Sequence, residues 1–182
     1  MAALRLFAQD GYIIVTTDMI AAAAGAAVGS FYIYFKSKGE VLLVLMDRLL
    51  VELEALNFDL SPEVLAGGSR ATMAILVRAA LHADLEYAGV YRAWREAIVV
   101  EPSIAVWDAP IREWTTGRII VLFAGLASLP GVRRDLDPVM TAALVNRLFW
   151  DLLTDPRALT ASTFEETINA LTMMLYHTLF EE

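Results

Sequence analysis

Apolar residues recur at every third or fourth position through most of this chain, and that spacing limits the folds open to it more than any other feature. The clearest stripe predicts an amphipathic helix over 38–56 and consists of Leu42, Leu45, Leu49, Leu53 and Leu56. Similar stripes predict helices over 69–86, 87–100, 103–128, 138–154 and 163–179. Alternating strand patterns are weak, so we expect an all-α protein of about nine helices.

Several predicted helix boundaries have recognisable chemistry. A Ser or Thr followed three positions later by Glu forms a capping box, in which both side chains satisfy free N–H groups of the first turn. Such pairs are Ser37 with Glu40 and Thr163 with Glu166. Asp137 followed by Pro138 predicts another helix start, and Pro110 predicts a kink within the helix over 103–128.

The composition excludes several classes of protein. Hydrophobic residues make up 58 % of the 182 positions, there is no Cys, and the only His residues are His82 and His177. Disulfide scaffolds, thiol nucleophiles and Cys-based metal sites are therefore excluded. No catalytic set and no glycine-rich phosphate loop can be recognised in the sequence. We expect a protein that is not an enzyme and needs no metal or other cofactor.

The charge and the distribution of apolar residues bear on location. The formal net charge of −8 argues against coating nucleic acid by bulk electrostatics, although it allows a small local contact surface. The longest uncharged apolar stretch, 119–132, is shorter than the roughly 20 residues that a membrane-spanning helix needs. The first ten residues lack the profile of a signal peptide. We expect a soluble, cytoplasmic protein that does not associate with membranes.

Residues 2–35 show a different pattern, with three short helices joined by tight connections. Thr16 can cap the second helix, Gly25 supplies the turn after it, and the third helix covers 28–34. Two short helices joined by a Gly turn make a helix-turn-helix unit, whose second helix enters a DNA major groove. This segment therefore predicts DNA binding.

The residues at key positions extend that pattern over 6–38 without a gap. They are Leu6-Phe7, Gly11-Tyr12, Ile20-Ala21, Ala24-Gly25, Gly29-Ser30-Phe31-Tyr32, Tyr34-Phe35 and Ser37-Lys38. In these residues the chain resembles the DNA-binding domain of the tetracycline-repressor (TetR) family. The resemblance implies a helix-turn-helix DNA-binding domain over 1–46. It also implies that 47–182 form a helical domain that dimerises and binds a small ligand.

Candidate DNA contacts follow from the chemistry of the first segment. Hydroxyl and ammonium groups can bond phosphates, Gly29 allows a close approach to the DNA backbone, and the third helix lies nearest the base edges. The candidate DNA-binding residues are Thr16, Thr17, Val28, Gly29, Ser30, Tyr32, Ile33, Tyr34, Lys36 and Lys38. The alternative for the aromatic residues is that they form the core of a small bundle.

The chain departs from the family pattern at three points. Ala27 stands where the family has a Ser that would cap the third helix, and this costs about 1 kcal/mol. Ala26 replaces a larger aliphatic residue, and the sequence begins inside the first helix of the pattern, so we expect a shortened N-terminus. These departures leave open a second function, that of a small-molecule binding protein with a degenerate DNA-binding domain.

Large apolar residues fall on one face of each of three predicted helices after residue 86, with a few polar residues among them. Apolar clefts with a few polar groups are the usual form of small-molecule sites. The candidate ligand-binding residues are Tyr87, Tyr91, Trp94, Ile98, Trp107, Ile111, Trp114, Arg118, Asn146, Phe149 and Trp150. Either they line a pocket for a hydrophobic small-molecule effector, or they are simply core.

The last two predicted helices carry more apolar surface than one bundle needs, and the resemblance implies that they form a homodimer interface. The candidate interface residues are Met140, Leu144, Leu148, Leu171, Leu175 and Leu179. Two recognition helices must lie about 34 Å apart to enter successive major grooves, which gives dimerisation a mechanical reason. The function we expect is a ligand-responsive transcriptional repressor that binds operator DNA.

Overall fold

The computed structural model is almost entirely helical in the parts of the chain that it describes, which are residues 1–55, 69–85, 87–127, 129–155 and 162–181. The expected all-α class is confirmed. Outside the helices, an antiparallel bridge joins Val132 to Phe180. Within the described ranges, no helix is long and apolar enough to cross a membrane.

The described ranges contain ten helices, close to the expected number, and we number them in chain order. They are α1 (Ala2–Ile14), α2 (Thr17–Ala23), α3 (Val28–Tyr34), α4 (Lys38–Ala55), α5 (Ser69–Leu85), α6 (Ala88–Val100), α7 (Pro102–Ala105), α8 (Asp108–Leu126), α9 (Pro138–Thr154) and α10 (Phe164–Leu179).

The backbone forms two compact units. The first combines Met1–Ala55 with Asp84–Pro110, and the second combines Leu56–Ala83 with Ile111–Glu182. The helix-turn-helix segment therefore shares a compact unit with α6, which lies much later in the chain. The functional division into 1–46 and 47–182 stays a prediction.

Most of the predicted helix caps are confirmed. The Thr16 hydroxyl accepts a hydrogen bond of 3.2 Å from the main-chain N–H of Met19 at the start of α2. The Asp137 carboxylate accepts two such bonds at the start of α9. Ser37 accepts a bond of 3.2 Å from the N–H of Glu40. The Thr163 prediction is wrong, because its side chain makes no capping hydrogen bond to α10.

The single long helix predicted over 103–128 is also wrong. The short helix α7 ends at Ala105, and α8 begins at Asp108, so the break falls at Val106 and Trp107 rather than at Pro110. Pro110 lies in the first turn of α8. A missing N–H costs nothing there, because the first N–H groups of a helix have no partner within it.

Each unit has its own apolar core. In the first unit, Phe7, Leu42 and Trp94 are all completely buried. In the second, the buried cluster takes its members from α5, α8, α9 and α10 and from Phe180, which directly follows α10. They are Met73, Leu76, Val77, Leu81, Leu126, Val145, Ile168, Leu171, Leu175, Leu179 and Phe180.

Candidate functional site

The helix-turn-helix consists of α2 and α3 with a glycine turn between them. Gly25 has a φ of 68°, a left-handed conformation that glycine adopts without the steric cost of a Cβ. Phe31 is the buried residue of α3, and its ring lies 5.6 Å from that of Phe35. Phe31 is therefore a core residue, as the alternative interpretation of the aromatic residues predicted.

The remaining large side chains of α3 point outward. Ile33 and Tyr34 are each 77 % exposed, Tyr32 is 55 % exposed and Val28 is 38 % exposed. Ser30 is half-buried. The Ile33 and Tyr34 side chains in particular are covered little by their own chain. They form a surface that a DNA groove can cover.

Two further DNA candidates are linked across the motif. The Thr17 hydroxyl lies 3.2 Å from that of Tyr32, within hydrogen-bond distance. This contact joins the first turn of α2 to α3. Both hydroxyls are placed at the outer face of the motif, where they can also meet phosphate oxygens.

The Lys38 side chain bonds within its own chain. Its ammonium donates hydrogen bonds to the main-chain carbonyls of Tyr12 at 2.7 Å and Val15 at 2.8 Å. It also lies 4.5 Å from the centre of the Tyr12 ring. A cation here stabilises the last carbonyls of α1. Lys36, in contrast, is exposed.

Two carboxylates of the first unit join α1 to the segment that follows α5. Glu96 of α6 accepts hydrogen bonds from the main-chain N–H groups of Tyr12 at 2.7 Å and Ile13 at 3.1 Å. Glu101 accepts a bond of 2.5 Å from the Tyr12 hydroxyl. Burial, and then the bond to Glu101, raise the pKa of Tyr12 far above its usual value.

Reasoning from the sequence missed Glu96 and its role. The partners of these two acids lie 84 and 89 residues away in the chain, so no local spacing could have indicated them. The one local signal is Gly11, which breaks the helical path of α1 with a φ of 76° and frees the next two N–H groups. Freed N–H groups need an acceptor.

The structure distributes the ligand-binding candidates over the two units. In the first unit, Tyr87, Tyr91 and Trp94 are buried, Ile98 is half-buried and Trp107 is 51 % exposed. The Trp94 indole donates a bond of 2.9 Å to Asp108. Burial, and then the hydrogen bond from its hydroxyl to Glu52, raise the pKa of Tyr87. Tyr87, Tyr91 and Trp94 are therefore part of a packed core, in which Tyr87 and Trp94 form hydrogen bonds, and Trp107 lies outside that core.

The second unit holds the remaining candidates around Asn146. The Asn146 amide nitrogen lies 3.0 Å from the Arg112 carbonyl, 2.9 Å from the Thr115 hydroxyl and 2.8 Å from the Thr116 hydroxyl. The Trp150 ring is buried, and the Arg112 guanidinium lies 4.4 Å from its centre. Residues of α8 thus supply the hydrogen-bond acceptors for the buried Asn146 amide nitrogen.

The other members of this second group are more accessible. Arg118 lies over the Trp114 ring at 5.3 Å, and both residues are half-buried. Phe149 is half-buried against the core cluster, and Ile111 is buried. Among the described residues, no group of three or more acidic or His side chains could hold a metal ion.

The predicted interface residues divide into two kinds. Met140 and Leu144 on α9 are 62 % and 61 % exposed, and Leu148 is half-buried. Leu171, Leu175 and Leu179 belong instead to the core of their own chain. A side chain buried in its own core cannot also cover a second copy. The large apolar residues exposed on α10 are Met173 and Met174, at 46 % and 44 %.

Comparison with known proteins identifies the first segment. Residues 1–45 match the family model described as bacterial regulatory proteins, tetR family. Over this segment the chain is similar to tetR-family proteins. The match covers α1 to α3 and the start of α4, so the similarity lies in the helix-turn-helix segment. A comparison with curated proteins gave no match.

Solved structures of similar fold extend the comparison to the whole chain. The fatty acid degradation regulator FadR from Bacillus halodurans has a TM-score of 0.70 at 15 % identity, covering 96 % of this chain and 90 % of FadR. The ketosteroid regulator KstR2 of Mycobacterium tuberculosis gives 0.66 at 16 %, covering 100 % and 92 %. SmeT in complex with triclosan gives 0.64 at 17 %, covering 100 % and 91 %. At these identities the likeness establishes the fold.

Proposed function

We propose that this chain is a cytoplasmic transcriptional repressor of the tetR family that binds operator DNA as a homodimer and changes its DNA affinity when a hydrophobic small molecule binds. The observation that carries the proposal is α3, which exposes Ile33 and Tyr34 to 77 % each within a helix-turn-helix. Apolar side chains at such positions can contact thymine methyl groups in the major groove. Backbone N–H groups and the Thr17 hydroxyl supply phosphate contacts.

Footprinting of the DNA upstream of the protein's own gene tests DNA binding directly. Ile33→Ala is expected to weaken specific binding about tenfold or more, the usual cost of a lost base contact. Val99→Ala is the matched control, because Val99 lies in the same compact unit and is 81 % exposed. Both variants should melt like the wild type. The absence of any protected site with the full-length chain would refute DNA binding.

Gly29 offers a second variant that separates DNA binding from folding. A Cβ built on Gly29 meets no atom within 4 Å, so alanine fits the folded chain. Alanine is also the better helix former, by about 1 kcal/mol. If Gly29 lies against the DNA backbone, Gly29→Ala should raise the melting temperature and still weaken DNA binding. Unchanged DNA affinity would remove Gly29 from the interface.

The homodimer is supported by the exposed apolar surface of the last two helices. We propose that Met140, Leu144 and Leu148 of α9 meet a second copy together with Met173 and Met174 of α10, which replace the three buried leucines of α10. Exposed apolar surface of this kind marks interaction sites. A dimer also provides the two recognition helices, about 34 Å apart, that successive major grooves require.

Analytical ultracentrifugation of charged variants tests this interface. Leu144→Asp should shift the protein from dimer to monomer and reduce its affinity for operator DNA. Val121→Asp is the control, because Val121 is 73 % exposed on α8 and outside the proposed interface. A monomeric wild type, or a dimer that both variants leave intact, would contradict the assignment.

A small-molecule effector is supported by the apolar and aromatic content of the predicted ligand-binding residues. The triclosan complex of SmeT, and the names of the fatty acid and ketosteroid regulators, concern proteins of the same fold. Thermal-shift screening against apolar and aromatic compounds tests the proposal, because a ligand that binds the folded state raises the melting temperature. Trp114→Ala and Phe149→Ala should remove the shift if the half-buried members of the set contact the ligand.

A second candidate function is small-molecule binding without DNA binding. It is favoured by the start of α3, where Ala27 provides no side-chain cap, and by the internal bonds of the Lys38 ammonium. Ala27→Ser should restore DNA binding if the domain is merely weakened. Its failure to do so, with ligand binding intact, would favour this second function.

A further inference from the structure

A cavity of about 430 Å³ lies within the second unit. Its walls come from the end of α8, the segment 129–137, the first turns of α9 and the end of α10. The volume falls within the range of small-molecule sites. None of the residues predicted from the sequence to bind ligand lines it. The apolar floor consists of Phe123, Leu126, Val132, Leu136 and Leu179.

One wall of this cavity is fixed by main-chain hydrogen bonds. The Arg133 N–H donates to the Leu179 carbonyl at 2.8 Å, and the Glu181 N–H donates to the Gly131 carbonyl at 2.7 Å. The two bonds flank the bridge between Val132 and Phe180. The segment after α8 is thereby tied to the end of α10. The cavity is therefore formed before any ligand arrives, and a ligand need not order its wall.

The polar side chains that line the cavity are all hydrogen-bond donors. They are two guanidinium groups, Arg133 and Arg134, and the hydroxyl of Thr141, with no carboxylate in the lining. The Arg133 guanidinium donates two hydrogen bonds to the Asp135 carboxylate, from Nε at 3.0 Å and from Nη2 at 2.6 Å. These bonds lower the pKa of the Asp135 carboxyl. Glu181 also faces Arg133. Within the described residues, the structure assigns no such acidic partner to Arg134.

We propose that this cavity binds an amphiphilic carboxylate, whose hydrocarbon part covers the apolar floor and whose carboxylate bonds to Arg134. Burial of a hydrocarbon on such a floor is favourable by about 25 cal/mol per Å². A guanidinium is the side chain best shaped to hold a carboxylate. Arg133 is already paired with Asp135. The charge of Arg134 therefore determines how much more tightly the cavity binds a carboxylate than a neutral compound of the same length.

Calorimetric titration of the full chain with decanoate and decanol tests the site, since the two probes share a chain length and differ in the head group. Decanoate should bind at one site per chain, and decanol more weakly. Arg134→Gln should weaken decanoate about tenfold or more, as expected for the loss of a charge-assisted hydrogen bond, and leave decanol unchanged. Arg5→Gln, on an exposed side chain of the other unit, is the control and should change neither.

Blocking the floor gives an independent test. Ala127 lines the cavity and is exposed, so Ala127→Phe can fill the space without disturbing the core. It should abolish binding of both probes, whereas Trp150→Phe should affect neither. Binding that survives Ala127→Phe, equal affinities of decanoate for wild type and Arg134→Gln, or no binding at all would overturn the proposal. These titrations contain no DNA, so their failure is distinct from a failure of operator binding.

Discussion

The carboxylate of Glu96 accepts a hydrogen bond of 2.7 Å from the main-chain N–H of Tyr12, which lies 84 residues earlier in the chain. The contact occurs where Gly11 interrupts α1, so the acid caps the short helical end that follows the break. It fixes the first helix of the DNA-binding segment to α6. The first helix of the three-helix segment is thus attached to a helix outside residues 1–45.

Glu96→Gln keeps the shape of this side chain and removes its charge. We expect the free energy of unfolding to fall by about 1–2 kcal/mol, because a charged acceptor forms stronger hydrogen bonds than a neutral one. Urea denaturation at neutral pH measures the change. Glu54→Gln, on an exposed residue of α4, should leave stability unaltered. Equal effects of the two substitutions would show that the Glu96 cap contributes nothing.

The close approach of α6 to α1 depends on Gly89. A Cβ built there lies 2.5 Å from the Cβ and 2.6 Å from the Cα of Ala8, and the backbone of Ala8 cannot move aside cheaply. Gly89→Ala should therefore destabilise the protein by about 1–3 kcal/mol. In Gly117→Ala the new Cβ meets nothing within 4 Å, so this change should be neutral or stabilising. Thermal unfolding of the pair provides the comparison, and similar melting temperatures would rule out the close approach.

Ala27→Ser should stabilise the protein by about 1 kcal/mol. Ala27 is the N-cap of α3 and makes no side-chain capping bond, whereas a Ser hydroxyl can accept from a free N–H of the first turn. Ala26→Ser, one position earlier, lacks that geometry and should give no gain. Chemical denaturation of both variants tests the prediction, which fails if Ser at position 27 leaves the midpoint unchanged.

The raised pKa of Tyr12 predicts a loss of stability in alkali. The folded chain holds this hydroxyl in its neutral form, so its contribution is complete below the unfolded pKa of about 10 and is lost as the pH rises above that value. The loss from this group should approach about 1.4 kcal/mol per pH unit. Unfolding free energies measured at several pH values should fall less steeply in Tyr12→Phe. Parallel profiles of wild type and variant would argue against a buried neutral hydroxyl.

Asn146 is expected to be a structural requirement of the second unit. Asn146→Ala removes the donor that serves the Arg112 carbonyl and two Thr hydroxyls, and should cost about 1–3 kcal/mol. Asn169→Ala, on an exposed position of α10, is the control and should cost little. Should Asn146→Ala prove as stable as the control, water must satisfy the same groups.

The local features of this chain were predictable because each depends on neighbours in sequence. The cap at Thr16 and the cap at Asp137 involve atoms within three residues. The helix-turn-helix follows from short-range spacing and from a glycine turn, and its exposed α3 follows from the same pattern. The wrong predictions at Thr163 and at Pro110 show the limit of the same signals. A capping sequence or a proline restricts the residues at which a helix can begin or break. The exact residue also depends on how the helix packs against its neighbours.

The sequence by itself determined the helical class, the helix-turn-helix and most helix ends, since hydrogen bonds and apolar stripes within a helix need no distant partner. Only the tertiary structure decided that Lys38 bonds to the end of α1, that Glu96 caps it, and that Leu171 and its neighbours on α10 are core. The physical reason is that an apolar stripe predicts burial and gives no information about the surface that will cover it. Which helix meets which depends on the packing of the whole chain.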